Sequence, residues 1–274
     1  MADRAALEAF REAPTRTADH HEVLLCCNIG SDQDVKAVLE SGGEGIGLFR
    51  TEFLFMDRTT APDEQEQFEA YRKALMVMKG KTVVIRTLDI GGDKDIPYMN
   101  LVKEENPFLG FRAVRYCLKN PEMYKIQLRA LLRAGVYGDL QIMVPLVTGV
   151  DELRAVKALI KEAEKELESK KIDYKKDIKV GVMIETPAAA MTADLFAKEA
   201  DFFSIGTNDL TGYTMAADRG NPNVEYLYSV FNPAVLRSLK YIISVMPDCI
   251  IAFVHSLHGN RVVYILEPAR PMPL

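Results

Sequence analysis

Short apolar runs that alternate with segments of helical period constrain this chain more than any other feature. Six such runs precede residue 207: "EVLLCCNI" (22–29), "GIGLFR" (45–50), "KTVVIRT" (81–87), "LQIMVPLV" (140–147), "IKVGVMIE" (178–185) and "FFSIG" (202–206). Each is of strand length and nearly continuous in apolar residues, the pattern of parallel strands covered on both faces. Between them lie helical segments. "SDQDVKAVLESG" (31–42) has Ser31 as N-cap, Asp34 in a capping-box position and Gly42 as a stop; "DEQEQFEAYRKALMVMKG" (63–80) sets Phe68, Tyr71, Leu75 and Met76 on one face. Further helices are expected over 110–135, interrupted near Pro121, over 151–171, 188–200 and 232–246. Strand–helix alternation at this frequency gives a parallel α/β fold. No G-x-G-x-x-G follows the first strand, so a dinucleotide-binding fold loses support and a (β/α)8 TIM-type barrel is expected.

Composition narrows the function classes. With 48% hydrophobic and 27% charged residues the chain is globular, and a net charge of −5 argues against nucleic acid or an anionic membrane as partner. No apolar stretch reaches the roughly 20 residues that span a bilayer. The opening "MADRAALEAFREAP" lacks the apolar centre of a signal peptide. Cys26, Cys27, Cys117 and Cys249 show neither metal-ligand spacing nor a disulfide framework, which suits a reducing cytoplasm. Residues 1–22 read as a helical lead-in and linker ending near Pro14 and "TRTADHH", and 23–274 as the barrel domain.

Ligand groups of such a barrel sit at the C-terminal strand ends. There the second strand ends in Arg50, the third in Arg86, the fifth in Glu185 and the sixth in Gly206-Thr207-Asn208-Asp209. "NPFLGFR" adds Arg112 after the third strand and "AADRGN" adds Arg219 after the sixth. A lone arginine at a strand end is more often a surface residue, and Asp209 alone reads as a helix start. As a set, arginines crowded at one rim call for an anion among them. Glu185 and Asp209, facing the same mouth, call for a cation or for those arginines, and two carboxylates with positions left for other oxygens suit Mg2+. The rim therefore reads as Mg2+ plus a small ligand carrying a phosphoryl and a carboxylate group.

The stretches "GIGLFRTEFLFMDR", "IRTLDIGGDK", "EENPFLGFRA", "GVMIETPAA" and "FFSIGTNDLTGYTMAADRGN" together resemble the C-terminal domain of the enzyme I family, the phosphoenolpyruvate–protein phosphotransferases of the bacterial sugar phosphotransferase system. The resemblance runs from about residue 1 to about 245. More distantly the chain is similar to pyruvate phosphate dikinase and phosphoenolpyruvate synthase. This likeness implies a barrel that binds phosphoenolpyruvate with Mg2+: Arg50, Arg86, Arg112 and Arg219 on the phosphate and carboxylate, Asn208 assisting, Glu185 and Asp209 on the metal. It also implies phosphoryl transfer to a histidine of a separate domain supplied in trans, and a homodimer.

Departures from the family bear on turnover. The family's strand-seven cysteine, in a G-M-C-G-E segment that protonates the enolate, has no counterpart in "PDCIIAFVHSLHGNRVVYILEPARPMPL", so no catalytic residue is assigned. Cys249 lies too early for that role, and Cys26 and Cys27 are expected to be packing residues. "HGNRVVYI" (258–265) falls where strand seven should begin, strand eight is expected to be missing, and the barrel is expected to be incomplete at strands 7–8 with exposed edges. A truncated or frame-altered gene is the corresponding expectation. None of His20, His21, His255 and His258 sits in a phospho-acceptor context. Gly212 stands where the family usually has glutamine, with a looser loop after Asp209 expected. Two alternatives stay open: a phosphoenolpyruvate-binding module without turnover, and a dikinase-like or synthase-like domain.

Overall fold

In the computed structural model the described residues are 15–16, 20, 22–91, 96–99 and 101–245, with the backbone of two further strands at 251–257 and 260–266. The lead-in over 1–14, Cys249 and the tail over 267–274 lie outside them. Six parallel strands form in order: β1 (Leu24–Ile29), β2 (Gly45–Arg50), β3 (Thr82–Arg86), β4 (Asp139–Val144), β5 (Lys179–Ile184) and β6 (Phe203–Ile205), each paired to the next. All six apolar runs read from the sequence are strands.

Helices join them on the outside: α1 (Val35–Glu40), α2 (Glu64–Val77), α3 (Ala113–Lys119), α4 (Pro121–Ala134), α5 (Val150–Ser169), α6 (Pro187–Met191), α7 (Ala193–Phe196), α8 (Thr207–Met215) and α9 (Pro233–Ser244). Local chemistry sets their limits. The Asp63 carboxylate accepts from Glu66 N–H at 2.8 Å while Glu66 accepts from Asp63 N–H at 2.9 Å, a capping box that starts α2. Pro121 takes the first position of α4, where its missing N–H costs nothing, and so divides α3 from α4. Gly42 ends α1 at φ +77°. The single helix expected over 188–200 is instead the pair α6 and α7. Thr192 separates them at φ −113°, its hydroxyl donating to the Ala188 carbonyl at 2.9 Å and competing with the helical ladder.

Strands β1–β6 are covered on both faces. Cys26, Leu48, Val84, Met143, Met183 and Phe202 form one apolar cluster inside the ring. Alternate residues, among them Val83, Ile85, Ile142, Val182 and Ile184, join a larger outer layer with Tyr71, Leu75, Tyr124, Leu128 and Val156 of the helices. Each such side chain, taken wholly out of water, contributes roughly 1.5–3 kcal/mol. Ion pairs tie α2, α4 and α5 together on the outside: Arg129 reaches Glu64 at 2.7 Å and Glu166 at 2.6 Å, and Arg133 reaches Glu64 at 2.7 Å.

The last quarter of the barrel departs from the β/α repeat. Strand β7 (Ile251–Leu257) is parallel to β6, whereas β8 (Asn260–Leu266) runs antiparallel to both β7 and β1. The strands close into a ring, but β7 and β8 form a hairpin where a full (β/α)8 barrel would place a helix. Strand seven is thus 251–257, and the antiparallel β8 stands in place of the parallel eighth strand, so among the described residues the TIM-type barrel is incomplete at strands 7–8, as expected. The expected bare edges of β1 and of the last parallel strand are paired through this hairpin, because an antiparallel return needs only a short turn and no crossover.

Two glycines on this framework have opposite prospects. A Cβ at Gly181 would lie 2.5 Å from the Phe202 carbonyl oxygen and 2.6 Å from its ring, so Gly181→Ala should lower stability by about 1–3 kcal/mol. Gly212 is inside α8, not in a loosened loop, and a Cβ there would meet nothing nearer than 3.4 Å. Gly212→Ala should therefore raise stability by about 0.5–1 kcal/mol. Urea denaturation of the two variants checks both signs.

Candidate functional site

The period of two that fills the barrel interior also builds its mouth. Two residues beyond Leu48 on β2 comes Arg50; two beyond Val84 on β3 comes Arg86; two beyond Met183 on β5 comes Glu185. Charge thus replaces apolar filling at one level, at the C-terminal ends of the strands. Arg50 and Arg86 are paired across the β2–β3 register, so their side chains leave the sheet on the same face. The Arg86 guanidinium rests 3.9 Å from the Met183 sulfur, directly above the apolar filling.

Arg86 and Arg112 share one carboxylate. Asp89 accepts from Arg86 Nη1 at 2.9 Å through Oδ2, and from Arg112 Nη2 at 2.7 Å and Nε at 3.2 Å through Oδ1. All three residues are buried, at 8%, 7% and 7% exposure for Arg86, Arg112 and Asp89. Burial works against each guanidinium charge, and the neighbouring acids more than restore it. Arg86 Nη2 also pairs with Glu52, which a 3-10 turn over Thr51–Leu54 carries just after β2. Burial raises the Glu52 pKa, Arg86 opposes the shift and Asp89 adds to it.

Aromatic rings cover the outer faces of two rim arginines. Arg50 lies over the Phe53 ring at 4.7 Å and Arg112 over the Phe108 ring at 5.6 Å. Tyr213 of α8 donates to the Phe108 carbonyl oxygen at 2.5 Å, joining the loop before Arg112 to the helix that follows β6.

Asn208 and Asp209 occupy the first turn of α8, immediately after β6. Tyr228 donates to the Asn208 carbonyl oxygen at 2.7 Å and steadies that turn. Glu185 is 2% exposed, and its Oε1 accepts from Leu146 N–H at 2.7 Å. Burial, with repulsion from Asp209 and Asp89, pushes its pKa up to about 8. A buried Glu185 and a half-buried Asp209 that repel one another are a donor set suited to a divalent cation. Gly206 leaves space there: a Cβ on it would come within 2.7 Å of Glu185 Oε2. Glu185 and Asp209 therefore fit Mg2+.

Of the sequence-derived residues, Arg86, Arg112, Glu185 and Asp209 interact electrostatically at one mouth. Arg50 adjoins them through the strand register. Arg219 is more loosely placed, 3.8 Å from Asp209 with its side chain 56% exposed. Glu52 and Asp89 were not singled out from sequence. A charge count contained the signal: four rim arginines against two acids leaves buried positive charge uncompensated, and an acid follows Arg50 by two residues and Arg86 by three. Cys26 fills the barrel interior, where burial pushes its thiol up to about 12. Cys117 is buried on α3.

A TIM-type barrel with arginines, carboxylates and an amide at its C-terminal rim is the class of protein that fold and mouth define. Residues 4–248 match the family described as PEP-utilising enzyme, PEP-binding domain, and the chain belongs to that family. The phosphoenolpyruvate-protein phosphotransferase of Priestia megaterium is 58% identical over 229 residues, covering 84% of this chain and 40% of the relative. The protein of the same name from Bacillus subtilis (strain 168) is 53% identical over 243 residues, covering 89% and 43%. The chain thus spans about two fifths of the length of the curated relatives it matches. A citrate lyase structure from Burkholderia xenovorans LB400 superposes with a TM-score of 0.50 at 14% identity, covering 91% of this chain and 68% of that one, a likeness of fold alone.

Removing the shared acid should cost more than removing an ordinary surface partner. Asp89→Ala leaves Arg112 without its carboxylate partner and Arg86 with Glu52 alone, and a stability loss of about 3–5 kcal/mol is expected by urea denaturation. Asp89→Asn, which keeps an acceptor, should cost less. Equal and small losses for both would mean that the two arginines do not depend on this carboxylate.

Proposed function

We propose that this barrel binds phosphoenolpyruvate with Mg2+ and acts as the donor half of a phosphoenolpyruvate–protein phosphotransferase, passing the phosphoryl group toward a histidine of a separate domain. The observation that carries this reading is the pair of buried guanidiniums on Asp89 beside Glu185. Arg86 Nε, Arg112 Nη1 and Arg50 Nε are buried without a hydrogen-bond partner, the condition of a site that awaits anionic oxygens. The relatives' names agree with the reading, and those relatives are more than twice as long as the stretch they share with this chain, room in them for an acceptor domain.

In the proposed site Arg86 and Arg112 hold the phosphate, and Arg50 and Arg219 complete the cationic wall around phosphate and carboxylate. Asn208 orients the ligand from the first turn of α8. Glu185 and Asp209 hold the metal. Mg2+ would supply neutralisation of charge on the transferring group. The arginines supply the rest of that neutralisation, preorganised by Asp89 and by the rings of Phe53 and Phe108, so little rearrangement is required as charge moves onto the leaving enolate. The barrel interior below is packed with Leu48, Val84, Met143 and Met183 and keeps water from approaching from that side.

Sugar uptake as the pathway served, a homodimer and a cytoplasmic location belong to the same proposal, by likeness to the enzyme I family. Among the described residues no helix is long and apolar enough to cross a membrane. A domain boundary near residue 22 belongs to the same proposal.

Calorimetric titration with phosphoenolpyruvate tests the proposal. Binding should need Mg2+, and Arg86→Ala should weaken it by about thirtyfold or more, the scale of losing one partner of a buried charge pair. Gly206→Ala, whose Cβ would press on Glu185, should weaken the Mg2+-dependent binding. Binding of equal strength with and without Mg2+ would remove the cation from the site, and no binding by folded chain would overturn the reading.

A further inference from the structure

Two carboxylates partner Arg86, and they are held in different ways. Asp89 makes three contacts to two arginines and spends both oxygens on them. Glu52 makes a single ion pair, through Oε1 to Arg86 Nη2. Its other oxygen, Oε2, is buried and has no hydrogen-bond donor. A buried carboxylate oxygen left bare is a costly arrangement. Glu52 is also carried by a short 3-10 turn after β2, not by the strand itself.

From this asymmetry we infer that Glu52 is a built-in stand-in for the ligand: its carboxylate occupies the Nη2 edge of Arg86 when no anion is bound and gives that edge up when a phosphate or carboxylate arrives. Asp89 is the fixed bridge and Glu52 the exchangeable partner. The inference rests on reading the mouth as an anion site and adds a positioning residue to it. Without Glu52 the Arg86 charge would stand half-neutralised above the apolar filling. With it, the arginine is pre-set, and each incoming anion must displace a competitor. The apparent affinity is reduced by the fraction of molecules in which Glu52 holds the edge.

Glu52→Gln keeps the size and one acceptor while removing the charge that competes. The variant should bind inorganic phosphate, and separately phosphoenolpyruvate with Mg2+, about three- to tenfold more tightly than the wild-type chain. A residue that merely props the site would weaken binding on substitution, so the sign decides. Phosphate is the arm that does not depend on the proposed substrate. Tighter phosphate binding with no phosphoenolpyruvate binding by either chain would support the stand-in and sink the substrate; unchanged or weaker phosphate binding, or none by either chain, overturns the inference whatever phosphoenolpyruvate does. Should Glu52→Gln not fold, the wild-type chain labelled with 13C in its glutamate carboxyl groups gives the same answer. The Glu52 resonance should shift as phosphate saturates the site, and a resonance that stays in place would overturn the stand-in.

Discussion

One carboxylate, Asp89, is the contact on which the charged mouth depends. It holds two buried guanidiniums that would otherwise repel each other; without it Arg112 would lose its carboxylate partner and Arg86 would keep only Glu52. Taking an arginine out of water costs several kcal/mol unless its hydrogen bonds and charge are answered nearby. Asp89 answers for two at once, and in doing so fixes the spacing between the end of β3 and the start of α3. The barrel makes the arrangement possible because its interior is already filled: Leu48, Val84 and Met183 support the charged level from beneath.

Closure of the strand ring shows how a fold can reach the same end by another chain path. Strands β1–β6 follow the repeat of strand, helix and parallel strand; β7 and β8 instead return as a hairpin. Hydrogen bonding needs only that β1 and β6 find partners, and it is indifferent to whether the partner on β1 runs parallel or antiparallel. What differs is the rim. A reversed β8 brings its N-terminal end, not its C-terminal end, to the level where β2, β3 and β5 present Arg50, Arg86 and Glu185. One of the eight strand ends therefore follows different rules from the others.

Much of this was legible in the sequence, and the reasons are physical. A period of two in an apolar run, ended by a charged residue, is unambiguous when the strand is covered on both faces; Arg50, Arg86 and Glu185 were readable for that reason. So were the turns fixed by local chemistry, such as Gly42 and Pro121. The split at Thr192 was not, because a hydroxyl that bonds backward leaves the apolar pattern intact. Glu52 and Asp89 were passed over because each follows an arginine in a segment that reads as loop, and pairing across a barrel mouth has no period. Gly212 was misplaced in a loop because the cost of a glycine in a helix is smaller than the tertiary contacts that keep α8 continuous.

The hydrogen bond from Tyr213 to the Phe108 carbonyl has a mechanical side. It is a rivet between the loop that leads to Arg112 and the helix whose first turn holds Asn208 and Asp209. Through this one contact the position of Arg112 is set partly by the helix that carries Asn208 and Asp209, so the cationic and acidic walls of the mouth share a support.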